Sequence, residues 1–161
     1  MSKHLLYLAL GSNLGDSVHH IKAAYRAISK RVGQITAQSA FYVTAPEGFE
    51  SDHYFLNTVC IVSTTLDPYQ ILEITEAIER KLGRTHKSHN LNYSDRVIDI
   101  DLLLYDNLIV TSERLTLPHP RMHQRDFVLR PLASIAPDAI HPVLDQSITT
   151  LQQQLETPSA N

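Results

Sequence analysis

Between positions 95 and 106 the chain reads Asp-Arg-Val-Ile-Asp-Ile-Asp-Leu-Leu-Leu-Tyr-Asp. This β-branched and aliphatic run is a strand by composition. Alternate side chains of a strand share a face. Ile98, Ile100, Leu102 and Leu104 then point one way, and so aliphatic a set must meet a core. Val97, Asp99, Asp101, Leu103 and Tyr105 point the other way. Asp99 and Asp101 therefore stand about 7 Å apart on one face, from the strand rise. Paired carboxylates at that span suit hard cations such as magnesium, which water and phosphate oxygens usually complete. A metal–nucleotide site on an open sheet face is one reading. The plainer reading, two solvated residues on an exposed face, is the commoner fate of a bare Asp-x-Asp. Aspartate is depleted in strand interiors, which moves the balance toward function.

The remaining elements follow from similar patterns. Residues 4–10 form a short apolar run that ends in Gly11-Ser12-Asn13-Leu14-Gly15-Asp16, a turn rich in glycine and small polar residues. Such a turn can cradle phosphate or simply join strand to helix, and no Gly-Lys-Ser/Thr follows to make it a P-loop. Asp16 or Ser17 can cap a helix whose apolar positions are Val18, Ile21, Tyr25, Ile28 and Val32. Residues 35–44 and 55–65 read as strands. In the second of these, Phe55, Asn57, Val59 and Ile61 share one face. Asp67-Pro68 opens another helix, with Ile71, Ile74, Ile78 and Leu82 as its buried stripe and Gly83 as its stop. Residues 85–94 lack periodicity and read as a long loop. After the 96–106 strand come a Pro- and His-bearing loop (115–124), a helix over 125–136, a last helix over 147–155 and a frayed tail from 157. The order β-α-β-β-α-β predicts an α+β, ferredoxin-like antiparallel sheet with both main helices on one face and a C-terminal helical extension. The opposite face, bearing the carboxylates, is expected to be open.

The 161 residues are expected to form a single domain, 1–161. A net charge of −3 gives no basic field, so no nucleic-acid partner is expected. No apolar stretch reaches membrane-spanning length. Cys60 is the lone cysteine, which rules out an internal disulfide. A cytoplasmic, soluble protein is the expected setting.

Several stretches, in this order, resemble 6-hydroxymethyl-7,8-dihydropterin pyrophosphokinases of folate biosynthesis. They are Leu10-Gly11-Ser12-Asn13-Leu14-Gly15-Asp16, Phe55-Leu56-Asn57, Gly83-Arg84, the 95–105 strand, Arg114-Leu115-Thr116-Leu117-Pro118-His119-Pro120-Arg121-Met122 and Arg125-Asp126-Phe127-Val128-Leu129-Arg130-Pro131-Leu132. The resemblance implies transfer of a pyrophosphoryl group from ATP to the pterin hydroxymethyl group, with release of AMP. It implies Asp99 and Asp101 as ligands of two magnesium ions, with Arg84 and Arg96 as phosphate-handling arginines; these four are the implied catalytic residues. Glu79, Ile100, Arg114, Thr116, His119 and Arg125 match ATP-contacting positions, as do the two arginines. Phe55 and Phe127 resemble an aromatic pair that sandwiches the pterin. Asn57, with Thr44, Ala45 and Glu47, would meet its hydrogen-bonding edge. Attack at phosphorus in so anionic a nucleotide needs cations, so positioning and electrostatics dominate such chemistry. Metal coordination can also activate the attacking hydroxyl, which removes the need for a side-chain base.

The chain departs from the pattern at Tyr93-Ser94-Asp95, where many members have a tryptophan and a Gly-Pro pair, at His86, and at Pro120. Without the motif, each arginine would read as surface charge, each phenylalanine as core, and Glu79 as a solvated helix residue. Two other functions are open to the sequence: a magnesium-dependent kinase for another hydroxymethyl heterocycle, and a non-enzymatic ligand-binding module. The second has no use for paired aspartates or for arginines at both ends of one loop. That loop, residues 85–95, is expected to be a lid. The expected partners are ATP and a dihydropterin, and association with other folate-pathway enzymes is compatible with this reading.

Overall fold

The computed structural model describes residues 2–44, 54–83 and 97–156. The lid expectation, the frayed tail, and the roles expected of Arg84, Arg96, Ala45 and Glu47 lie outside the described residues.

β1 (His4–Ser12) leads through the glycine turn into α1 (Ser17–Arg31). The Asp16 carboxylate accepts the His19 backbone N–H at 3.1 Å, satisfying one donor that the helix start leaves over. The turn thus acts as a cap, with a carboxylate already at the helix terminus where a phosphate would have to sit. β2 (Gln34–Gln38), β3 (Tyr42–Thr44) and β4 (Phe55–Thr64) follow. α2 (Pro68–Lys81) opens with a reciprocal capping box. Asp67 accepts from the Gln70 N–H, and the Gln70 side chain accepts from the Asp67 N–H, each at 3.0 Å. β5 (Asp99–Tyr105) completes the frame. Its strands run in the order β2-β4-β1-β5, with β3 also paired to β4. Every pairing is antiparallel.

One face of this sheet meets α1 and α2. Leu6, Leu8, Leu10, Cys60, Val62, Ile98, Ile100 and Leu102 pack there against Ile21, Ile28, Ile71 and Ile78. Three expectations need correction. Residues 35–44 do not form one strand, because Ser39 interrupts it. The Ser39 hydroxyl, not a backbone carbonyl, accepts the Val59 N–H at 3.0 Å, and it also bonds Thr58, which in turn meets the Tyr25 hydroxyl at 2.9 Å. The alternation of β5 is not continuous either. Leu8 pairs with Leu102 but Tyr7 with Leu104, so Leu103 is a bulge, an extra residue that turns the chain over. Leu104 therefore joins Leu103 on the far face, while Tyr105 packs with α1 and α2. The Tyr105 hydroxyl donates to the Leu66 carbonyl at 2.8 Å.

The third correction concerns the face expected to be open. α3 (Asp126–Ile135) and α4 (Ile148–Glu156) cover much of it. Val59, Leu103 and Leu104 form a second core there with Met122, Val128, Leu129, Leu132, Ile148 and Leu151. The expected loop of 115–124 contains more structure than its prolines suggest. β6 (Val110–Thr111) pairs with β7 (Thr116–Leu117), the Leu117–Pro118 peptide is cis, and residues Met122–Gln124 make a 3-10 turn. A small hairpin of β8 (Ile140–His141) and β9 (Gln146–Ser147) precedes α4. No helix among the described residues is long and apolar enough to cross a membrane.

Candidate active site

Strand register gathers the site. Tyr42 pairs with Asn57, Asn57 with Gly11 and Gly11 with Asp99, so one row crosses β3, β4, β1 and β5. The next row is Val59, Ala9 and Asp101. Residues directly opposite share a sheet face. Asn57 and Asp99 are two strand spacings apart, about 10 Å. Val59 lies beneath α3 and α4, whereas Asp99 and Asp101 are half-exposed. The carboxylates thus sit where the second core ends. Between them and β4 the floor is made of glycine and alanine. A Cβ on Gly11 would come within 3.0 Å of Asn57 Oδ1 and 3.7 Å of the Phe55 ring.

Asn57 is buried, and its amide nitrogen donates to Thr44 Oγ1 at 2.6 Å. The Thr44 side chain therefore orients the Asn57 amide, leaving its carbonyl oxygen on the Gly11 side. Phe127 stands in the first turn of α3, a helix that packs on β3 and β4. The buried Arg125 guanidinium carbon lies 5.3 Å from the centre of the Phe127 ring, within cation–π range.

β5 lies at the end of the sheet, and other groups fill its outer edge. The Ile100 N–H donates to Glu79 Oε2 at 2.8 Å. Glu79 is only 3% exposed, so the reading of it as a solvated helix residue is wrong: α2 carries it inward onto the strand. The His119 N–H donates to the Leu103 carbonyl at 2.9 Å. His119 Nδ1 accepts the Arg121 N–H at 3.1 Å, which leaves the ring proton on Nε2. Burial above all, then the positive Arg125, lowers the His119 pKa to about 4, against the opposing influence of Asp99. At neutral pH this ring is an uncharged hydrogen-bond donor beside the carboxylates.

Arg114 lies elsewhere. It reaches α2, 3.5 Å from a Glu73 oxygen and 3.6 Å from a Glu76 oxygen, while Thr116 sits half-buried in β7. Asp99, Ile100, Asp101, Glu79 and His119 are thus brought together around β5, and Asn57 and Phe55 lie beside them across Gly11. The contributions of Gly11 and Ala9 as floor, and of the Thr44 hydroxyl as clamp, went unread in the sequence. Only strand register exposes them.

Asp99 and Asp101 fit a hard divalent cation. Both are oxygen donors two residues apart on one face, half-exposed, with small neighbours that leave room for further ligands.

Residues 7–137 match the family model described as 7,8-dihydro-6-hydroxymethylpterin-pyrophosphokinase. A 2-amino-4-hydroxy-6-hydroxymethyldihydropteridine pyrophosphokinase of Porphyromonas gingivalis is 52% identical over 139 residues, covering 86% of this chain and 94% of that protein. The enzyme of the same name from Bacillus subtilis is 38% identical, covering 82% and 78%. The folic acid synthesis protein FOL1 of Dictyostelium discoideum is 40% identical over 97% of this chain, which spans 23% of that longer protein. In structure, the wild-type Plasmodium falciparum HPPK-DHPS solved with SDX-DHP superposes with a TM-score of 0.79 at 17% identity, covering 95% of this chain and 44% of that one.

Proposed function

Because the chain belongs to the 7,8-dihydro-6-hydroxymethylpterin-pyrophosphokinase family, a family of folate biosynthesis, we propose that it moves the two terminal phosphoryl groups of ATP together onto the hydroxymethyl oxygen of 6-hydroxymethyl-7,8-dihydropterin. The new bond joins that oxygen to the β-phosphorus. The bond from the β-phosphorus to the oxygen bridging it to the α-phosphorus breaks, AMP leaves with that oxygen, and the hydroxyl proton passes to solvent. The row Asn57–Gly11–Asp99 carries this reading. It sets a buried amide suited to a heterocycle edge about 10 Å from a carboxylate pair suited to metal-bound phosphates.

Asp99 and Asp101 would hold two magnesium ions, which supply charge neutralisation to the polyphosphate when bound. The protein's own groups then bind and orient. Asn57, held by Thr44, offers its oxygen to the pterin, and Phe55 and Phe127 offer faces for stacking. Ala45 and Glu47 are assigned to the pterin edge by resemblance, as Arg84 and Arg96 are to the phosphates. His119, neutral with its proton on Nε2, donates to the nucleotide. Arg125, Thr116, Ile100 and Glu79 line the nucleotide side. Arg114 joins them on exchanging its contacts with Glu73 and Glu76 for the nucleotide. The strand order and pairing support a ferredoxin-like frame within a single domain of 1–161.

Incubation with ATP, magnesium and the dihydropterin tests the proposal. AMP with a pyrophosphorylated pterin is the expected product pair. Release of ADP would mean single phosphoryl transfer, and the absence of turnover would favour a binding module.

A further inference from the structure

We propose that Glu79 is a positioning residue for the metal-binding carboxylates, acting through the backbone amide of Ile100. The inference rests on the reading of Asp99 and Asp101 as metal ligands. Among the described residues, β5 pairs with β1 on one side only. The Ile100 N–H points away from β1, because it donates to a carboxylate carried by α2. Ile100 is itself buried, 5% exposed, so this N–H has no ready access to water. A buried donor left unmatched is costly, and the Glu79 carboxylate oxygen is the acceptor that matches it. The bond lands on the residue between the two aspartates. It fixes the peptide joining Asp99 to Ile100, and so the backbone angles that aim both carboxylates. Hydrogen bonds that hold metal ligands in place commonly change metal affinity by about 10–100-fold. Glu79 also ties the pair to α2 as a rigid body: the helix is anchored in the main core by Ile71 and Ile78, and Glu79 follows Ile78 directly. The aim of the carboxylates is thereby set by the α1–α2 side of the sheet, although they stand on the other side.

The experiment compares Glu79→Ala, Glu79→Gln and Asp101→Ala in the full chain. Two readouts are taken: hydrogen exchange at the Ile100 amide without metal, by NMR, and Mn2+ affinity without nucleotide, so that any contact of Glu79 with the nucleotide does not enter. Glu79→Ala should speed Ile100 exchange by at least tenfold relative to Leu102 and weaken Mn2+ binding by about 10–100-fold. Glu79→Gln keeps an acceptor oxygen at the same reach and should stay within about threefold of the parent protein in both. If Glu79→Ala leaves either quantity unchanged, the proposal fails. Should Glu79→Ala not fold, Glu79→Gln decides alone: a tenfold loss of Mn2+ affinity there means that the charge, not the bond to Ile100, matters. Asp101→Ala separates the two layers of the argument. Parent-like Mn2+ affinity in that variant overturns the metal reading and this inference with it. Loss in Asp101→Ala without loss in Glu79→Ala overturns the inference alone.

Discussion

The two faces of the central sheet are built on opposite terms. Toward α1 and α2 the sheet is aliphatic through the middle of β1, from Leu6 through Leu8 to Leu10, all fully or almost fully buried. On the other face β1 presents Tyr7, Ala9 and Gly11, and the character changes along the strand. Tyr7 and Ala9 pack at the margin of the α3–α4 core, and beyond them the surface is left to Asp99, Asp101 and Asn57. The first face holds the fold together through volume. The second gives up volume at Gly11, and what it gains is a shallow floor between two sets of polar groups. Stability and activity should therefore respond to different halves of the same strands.

The sharpest way to break that contrast is Asp99→Ala or Asp101→Ala. Turnover should fall by orders of magnitude while the protein stays folded. Stability should hold or rise slightly, because removing one carboxylate relieves repulsion in the metal-free state. Steady-state assays beside thermal unfolding measure both, and near-normal magnesium-dependent turnover in the two variants would sink the assignment. On the opposite face, Leu8→Ala should cost about 2–5 kcal/mol of stability. Denaturant titration reads that loss, and activity per folded molecule should be unchanged. Phe127→Ala and Asn57→Ala test the polar half more finely. Pterin affinity should drop far more than ATP affinity, with loss of one stacking face costing on the order of 1 kcal/mol beyond burial. Calorimetry with each ligand alone would show it, and equal losses would mean that these residues serve the fold generally.

A further effect is a pH dependence. His119 has its folded pKa lowered to about 4, below the roughly 6.5 expected of an unfolded histidine. The unfolded chain then binds the proton first as pH falls. Stability should be unaffected above about pH 6.5 and decline between there and about pH 4. The metal-free His119→Gln variant should show a flatter stability profile across that window. A profile identical to that of the parent would mean that the ring is not held neutral.

The helices and their caps were legible because their causes are local. Asp67, Pro68 and Gln70 lie within four residues and specify the start of α2 without reference to anything distant. The carboxylate pair was legible for the same reason: its two members share one strand. What the sequence hid is whatever depends on a partner far along the chain. Ser39 ends β2 because Thr58 and Val59 stand opposite it. Glu79 reads alike in sequence whether solvated or buried, and only the approach of β5 to α2 decides which. The second core was hidden similarly, since the apolar residues of α3 and α4 do not announce which face they will cover.

The bulge at Leu103 has a consequence for how the strand tolerates change. It divides β5 into two segments whose inside–outside parity is set independently. Asp99 and Asp101 take theirs from pairing with Gly11 and Ala9, while Leu104 and Tyr105 take theirs from Tyr7 and Leu6. Deleting Leu103 would restore strict alternation while leaving Leu104 opposite Tyr7, Tyr105 opposite Leu6 and both aspartates facing the same way. The extra residue thus acts as an insulator. Changes of length toward Tyr105 are absorbed there and do not rotate the carboxylates. Grafting this carboxylate pair into another sheet would require the four-residue register with β1 and an acceptor for the Ile100 N–H, not the remainder of the strand.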